Sequence, residues 1–514
     1  MAVAQRIIQM NERIERQPKL FLWLAAAIGL AIRLIGISSR PIWYDEAFAI
    51  LFAEKGPRAM LLGTLAPTPA GASDIHPIGY YTLLWAWMEA FGESVISVRV
   101  LSIAASIATI MIIGSLALNL FGPRTAVTAA LLAAISPFQV HYGQEIRMYA
   151  FMAMWLALAT YFYVRGSRTK SWGWWFGFAL AAALAQYMHS LAGLYLVALA
   201  GWPVITRNWG VVRRIALAGA LALALYAPWL LQVPAQLAKV DRVYWVSVPG
   251  FERLLSLFLT YVSNLPIPPA ELGLALFAAL SAASLVASEV LRSVVRHDLA
   301  STNVLWLLYM AFLPPALAFA ISQWIPIYVE RAFLFSGAMF LIAVGWTATY
   351  SRAPQMVRGV TLLLVALGFF LGLREHLAYS GFPYAPYKQL AEMLQTQRSV
   401  GDVIVHSSKL SFLPMEYYDR RISQTYVADP PGSSVDTLAP GTQRVLGVKA
   451  ASDISSAVGD SRRVWFLIFD QSNQEYVRAG LPRHPHLSWL MDHYAEVEVQ
   501  RWEDLDLYLF QVVK

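Results

Sequence analysis

Apolar runs about as long as a bilayer is thick recur from Leu20 to Leu373, separated by short loops that carry most of the basic residues. A helix needs about 20 apolar residues to cross the hydrocarbon core. Within that core its backbone polar groups must be satisfied by the helix itself. The chain therefore reads as a polytopic α-helical membrane protein. Composition agrees, since 58% of the 514 residues are hydrophobic and 14% are charged, against about a quarter charged in soluble domains. Eighteen Trp and 24 Tyr suit a protein with two lipid interfaces. The net charge of +7 sits mainly in short loops, which fits membrane orientation and not a nucleic-acid partner. The chain has no cysteine, which excludes disulfides, thiolate metal sites and cysteine nucleophiles. The segment after Lys19 lacks a convincing small-residue cleavage site and reads as a signal anchor.

Basic residues Arg6, Arg13, Arg16 and Lys19 put the N-terminus on the cytoplasmic side. The first span is Leu20–Ile37, followed by an outer loop over 38–97. Pro77–Phe91 is apolar but short, and counting it as a span would turn Arg165, Arg168, Lys170, Arg207, Arg213 and Arg214 outward. It is predicted to be a helix lying in the interface. Ten further spans follow: Val98–Leu120, Ala126–Phe138, Arg147–Val164, Trp172–Met188, Leu191–Ile205, Ile215–Leu231, Leu272–Leu291, Val304–Ser322, Ala332–Tyr350 and Val360–Leu373. That makes about eleven, with Arg124, Arg292, Arg296, Arg352 and Arg358 inside and a second long outer loop at Gln232–Glu271. The membrane domain is thus 1–373.

The composition changes after Leu373. Residues 374–514 are predicted to form a soluble α/β domain on the extracytoplasmic side. Tyr387–Leu394 reads as a helix, Asp402–His406 and Arg463–Phe469 as buried strands, and Val497–Val513 as a hairpin turning at Glu503-Asp-Leu-Asp. There is no Gly-rich phosphate loop.

Four polar segments fall on the outer side, where they are candidates for function. Arg40-Pro-Ile-Trp-Tyr-Asp-Glu-Ala-Phe places Tyr44, Asp45 and Glu46 just past the first span. Its bland reading is a solvated acid pair or a helix N-terminal charge. Asp74-Ile-His-Pro holds His76 before a proline, in extended or turn geometry, where it could donate to a phosphate or sit as an interface histidine. Ser136–Tyr149 packs His141, Gln144, Glu145, Arg147 and Tyr149 into a short connector. Backbone N–H groups at a helix start, together with Arg147, suit an anion, whereas the bland reading is a Glu145–Arg147 surface pair. Arg331 stands at the outer start of a late span, where it could bind phosphate or snorkel. His189 reads as a packed interface residue. No cluster has metal spacing and no cofactor is indicated; a divalent metal would need acids 45, 46 and 145 brought together by the fold.

In this order the segments resemble the bacterial GT-C membrane glycosyltransferases. They are most similar to the family-39 group, with its protein O-mannosyltransferases and the aminoarabinose transferases that modify lipid A. The resemblance runs from about Leu20 to Tyr350. It rests on Trp43-Tyr-Asp-Glu-Ala, His76-Pro with Tyr80-Tyr81, Arg99-Val-Leu-Ser, and Ser136-Pro-Phe through Gln144-Glu-Ile-Arg-Met-Tyr. It implies a polyprenyl-phosphate sugar donor, a lipid, glycan or protein acceptor, and inverting transfer at the outer face of the plasma membrane. It also implies Asp45 as general base with Glu46 beside it, and His76, Arg147 and Arg331 on the donor phosphate. The family's usual second proline after the basic residue is Ile78 here. The chemistry is consistent, because inversion needs one carboxylate to take the acceptor proton and cations to hold a departing phosphate. A transporter or flippase of lipid-linked sugars, or a glycan polymerase or ligase, are the alternatives. Transporters place polar groups mid-membrane, often in inverted repeats, and neither feature is visible here.

Overall fold

The computed structural model describes residues 2–69, 71–243, 246–295, 299–350, 353–429 and 437–512. Arg296 and Arg352, both assigned to inner loops, lie outside the described residues. The chain divides into two compact units. The first comprises 1–37, 99–233 and 246–378, and the second 38–98, 234–245 and 379–514.

The first unit is all helix. Each of the eleven predicted spans falls on a helix: Pro18–Leu34, Val95–Phe121, Pro123–Ile135, Tyr149–Thr169, Trp172–Met188, Ala192–Ile205, Trp209–Leu230, Pro269–Val295, Leu299–Ile321, Leu334–Tyr350 and Gln355–Ala378. Among the described residues six stretches are long and apolar enough to cross a membrane, and the bent pair Gln9–Arg16 and Pro18–Leu34 makes a seventh if taken as one span. Pro123–Ile135 and Ala192–Ile205 are apolar but shorter. The Glu330–Tyr350 stretch is 89% buried and runs through the interior of the unit, while the Trp209–Leu230 window is only 28% buried. Leu217, Leu221, Leu223 and Leu225 on that outer helix are exposed, as expected of side chains that face lipid and not water. The chain is a multi-pass membrane protein.

Several charged side chains are sunk in this unit, Arg33 the most completely. Arg33 is fully buried, and burial lets an arginine persist only if its donors are used. Its Nε donates to Ser106 Oγ at 2.8 Å, Nη1 to the carbonyls of Gly29 at 3.0 Å and Ala134 at 2.9 Å, and Nη2 to Ala133 at 3.5 Å. It thereby caps the C-terminal carbonyls of Pro123–Ile135, the groups a helix end leaves unpaired.

Two connectors read as loops are helical. Ser136–Gln144, taken as part of a short outer loop, contains the helix Pro137–Gln144, started by a proline at its first turn. Gln232–Glu271 contains Val233–Val243 and Glu252–Val262. The last span does not stop at Leu373 but continues to Ala378. The polar residues Arg374, Glu375 and His376 form its final turn.

The second unit gathers an N-proximal segment and the C-terminal α/β region. A two-residue hairpin, β1 Pro67–Thr68 and β2 Gly71–Ala72, precedes the helix Gly79–Phe91. The latter is the helix predicted over Pro77–Phe91. Strands β3 Val403–His406, β4 Gln424–Val427, β5 Ala450–Ala451, β6 Arg463–Phe469, β7 Tyr494–Trp502 and β8 Leu505–Val512 form one sheet, ordered β5-β4-β3-β6-β8-β7. The first four are mutually parallel, and β8 and β7 add antiparallel at the edge. In β6, Trp465, Leu467 and Phe469 face one core, with Leu390, Leu394 and Ile404. Val464, Phe466 and Ile468 face the other, with Val405, Leu490 and Phe510. Covering on both faces is why this strand reads as an unbroken apolar run. The β7–β8 hairpin turns at Glu503-Asp504.

Candidate active site

In the second unit, Trp43 is extended and the helix Tyr44–Ala53 starts immediately after it, with Asp45 and Glu46 in its first turn. Carboxylates there complement the positive end of the helix dipole. Neighbours on a helix project about 100° apart, so the two acids diverge. Glu46 turns inward and is 2% exposed, whereas Asp45 is only partly covered. Of the two bland readings, the helix N-terminal charge describes the local placement and the solvated pair does not. Aromatic residues of the C-terminal region fix the approach to this helix. The Arg40 guanidinium donates to Tyr384 Oη and lies 4.3 Å over that ring, and the Ile42 N–H donates to Tyr418 Oη at 3.1 Å. Lys409 Nζ stands 5.5 Å from the Tyr44 ring centroid.

His76 sits on a turn organised by Asp74, whose Oδ1 accepts from the backbone N–H groups of Ile75 at 2.6 Å and His76 at 3.1 Å. The same oxygen meets His76 Nδ1 at 3.0 Å. Burial pushes the Asp74 carboxyl up, but its hydrogen bond with His76 and the charges of His76 and Lys239 outweigh this, leaving it at about 2. An ionised Asp74 holds the proton on Nδ1, so the imidazole presents a defined Nε2 edge, positive when doubly protonated. Lys239 donates to the Ser73 carbonyl at 2.7 Å and Gln236 to that of Asp74 at 3.3 Å, tying down the turn from the Val233–Val243 helix.

In the first unit the structure brings together His141, Gln144, Tyr149 and Arg331. The Arg331 guanidinium carbon lies 5.2 Å over the Tyr149 ring. Tyr149 also meets Tyr142 at 6.0 Å and His189 at 5.6 Å between centroids. Glu145 and Arg147 are 5% and 3% exposed, which overturns the surface-pair reading. Arg147 does not open a helix. It lies two residues before the first turn of Tyr149–Thr169, in a bend where its N–H donates to the Glu145 carbonyl at 2.8 Å.

Two participants escaped sequence reasoning. Gln144 Nε2 donates to the carbonyls of Arg33 at 2.7 Å and Ile35 at 3.0 Å, which fixes its Oε1 as an acceptor. His376 Nε2 meets that oxygen at 2.6 Å and must carry hydrogen there. His376 Nδ1 lies 3.2 Å from His141 Nδ1, which also stands 3.2 Å from the Asn264 amide nitrogen. His376 was hidden by ending the last span five residues early. Asn264 lies in a segment read as loop, at a left-handed φ of 59°. Gly143 keeps this network close-packed, since a Cβ there would stand 2.6 Å from Ser106 Oγ. Among the described residues no group of three His, Asp or Glu could hold a metal.

Residues 75–231 match the family model described as dolichyl-phosphate-mannose-protein mannosyltransferase. No curated protein matches the chain. Among solved structures, ArnT from Cupriavidus metallidurans in the apo state is 13% identical with a TM-score of 0.62, over 96% of this chain and 98% of that one. ArnT bound to undecaprenyl phosphate is 14% identical with a TM-score of 0.58, over 95% and 97%. The Archaeoglobus fulgidus oligosaccharyltransferase in the apo form is 12% identical with a TM-score of 0.52, over 94% and 73%. The chain has the GT-C fold. In this GT-C chain the matched segment carries His76, His141, Gln144, Glu145, Arg147 and Tyr149, whereas Asp45, Glu46 and Arg331 lie outside it.

Proposed function

We propose that the protein is an integral-membrane glycosyltransferase that moves a sugar from a polyprenyl-phosphate donor to an acceptor hydroxyl on the outer face of the plasma membrane, with inversion. The observation that carries this reading is the fold likeness along almost the whole chain to ArnT, a protein solved with undecaprenyl phosphate bound. The family-model match to residues 75–231 supports the same chemistry.

In the proposed reaction the acceptor oxygen attacks the anomeric carbon. The bond from that carbon to the phosphate oxygen breaks, and polyprenyl phosphate leaves with the electron pair. Asp45 takes the acceptor proton, and Glu46, buried beside it, orients the turn. Arg147 and Arg331 hold the phosphate, with His76 as a third cation. Tyr44, His141, Gln144, Glu145 and Tyr149 support these groups. A phosphate already leaves as an anion, so no second carboxylic acid is needed.

Purified Asp45→Asn protein is the test. Asn keeps the shape but accepts no proton, and loss of a general base typically costs about 10²–10⁴ in rate. Transfer from a lipid-linked sugar should fall by that factor in a folded protein, and Glu46→Gln should cost less. Near wild-type turnover by Asp45→Asn would remove it from this role. Movement of lipid-linked sugar across liposomes without product would replace the enzyme reading with a flippase.

A further inference from the structure

We infer that Lys409, contributed by the C-terminal α/β region, is a positioning residue of the candidate site whose ammonium balances the first-turn carboxylates of the Tyr44–Ala53 helix and holds Asp45 in its working position. The inference rests on the functional reading above for its kinetic consequences, but not for the charge pairing itself.

Lys409 is in an unfavourable place on two counts. It is 7% exposed, so its ammonium has lost most of its water. It is the first residue of the helix Lys409–Tyr418, where the backbone dipole is positive and disfavours a cation. Its neighbour Ser408 already caps that helix by accepting from the Leu410 N–H at 3.3 Å, so the lysine is not needed for capping. Negative charge nearby is what best stabilises a buried cation at a positive helix end.

That charge is at hand. The Tyr44–Ala53 helix packs on Lys409–Tyr418 within the same unit. Lys409 Nζ lies 5.5 Å from the Tyr44 ring, within cation–π range, and the next two residues are Asp45 and Glu46. Glu46, at 2% exposure, carries the charge opposite to that of Lys409 and is likewise withdrawn from water. The alignment is fixed from both sides of the acidic helix, by Tyr418 on the Ile42 N–H and by an Arg420–Glu54 ion pair. Any shift of the α/β region that moved Lys409 would also alter the field at Asp45.

Two measurements on the full-length protein in detergent test this. Steady-state kinetics with a lipid-linked sugar should show Lys409→Met losing tenfold or more in kcat, with the donor KM within about twofold. Lys409→Arg should recover most of that loss. Thermal unfolding of Lys409→Met, Glu46→Gln and the double variant should be non-additive, the double losing less than the sum, because each single change strands a buried charge. An active wild type whose Lys409→Met keeps its kcat overturns the positioning role alone. A wild type inactive on every lipid-linked sugar overturns the functional reading, and the unfolding cycle then still decides the pairing, which additive losses would overturn. If Lys409→Met does not fold, Lys409→Gln takes its place, and equal kcat for the Gln and Arg variants overturns the role.

Discussion

Arg147 and Arg331 separate two uses of an arginine at the end of a membrane helix. A snorkelling arginine keeps its guanidinium in water, but Arg147 is 3% exposed and Arg331 is stacked on Tyr149. Neither guanidinium is therefore a free surface charge, and an anion arriving between the helices would meet a cation already held in place. If the grip on phosphate tightens as charge develops on the leaving group, removing either arginine lowers kcat as well as raising the donor KM. Arg147→Ala and Arg331→Ala should each cost about 10²–10³ in kcat. The Lys variants should recover little of it, since lysine cannot copy a bidentate fork. Steady-state kinetics against a varied donor decide, and unchanged constants in both folded variants would remove the phosphate clamp. These residues were legible because charge inside an apolar pattern is conspicuous. Lys409 and His376 were not, because each sits in a stretch with ordinary polar neighbours, and only tertiary packing buries them.

The helices were legible wherever an apolar run ended in basic residues. Boundaries failed where the polar signal misled. Pro137 and Gly143 look like turn residues, yet Pro137 starts a helix that the cap from Arg33 sets in place. Arg374-Glu-His looks like an exit from the membrane, yet the helix runs on to Ala378. This last turn gives a paired prediction. A Cβ on Gly372 would collide with the Ser263 carbonyl oxygen, whereas one on Gly359 of the same helix meets nothing within 4 Å. Gly372→Ala must push the helix away from Ser263 and draw His376 from Gln144, destabilising by about 1–3 kcal/mol. Gly359→Ala should be neutral or stabilising by up to about 1 kcal/mol. Thermal unfolding in detergent reads both, and equal melting of the two variants contradicts the packing argument.

Acid should loosen the C-terminal sheet. Burial pulls the imidazoles of His406 and His484 down to about 3 and that of His486 to about 4. His406 is fully enclosed between Ser411 Oγ at 2.9 Å and Gln424 Oε1 at 3.0 Å. A histidine whose folded pKa is lowered binds its proton first in the unfolded chain. Its contribution is therefore whole above about pH 6.5 and declines as pH falls toward 3, by at most about 1.4 kcal/mol per pH unit. Chemical unfolding of the second unit followed by tryptophan fluorescence should show this decline between pH 6.5 and 4. His406→Gln should flatten it, and an unchanged slope would mean that His406 is not the group responsible.

For the whole molecule, the sequence alone supplied the multi-pass helical character of the membrane part and the α/β character of the last region, because hydropathy and strand periodicity are local signals, whereas the helices inside the connectors were missed. The joining of 38–98 and 234–245 with the C-terminal region into one compact unit is a long-range property that no window could show. Sidedness is different again, since it follows from basic loops and not from coordinates. Arg165, Arg168 and Lys170 form one such loop, assigned to the cytoplasm, while the C-terminal sheet is assigned outside. The chain has no native cysteine, so a single introduced thiol reports its own side without background. Lys170 and Ser456 are both exposed, and neither takes part in the site. Lys170→Cys in intact cells should resist a membrane-impermeant maleimide and react once the cells are opened. Ser456→Cys should react in both. The reverse pattern would place the α/β region in the cytoplasm, and with it Asp45 and His76, which fold in the same unit. A base on that side could not serve an acceptor on the outer face. Labelling at Ser456 alone is therefore the condition on which an outward-facing transferase rests.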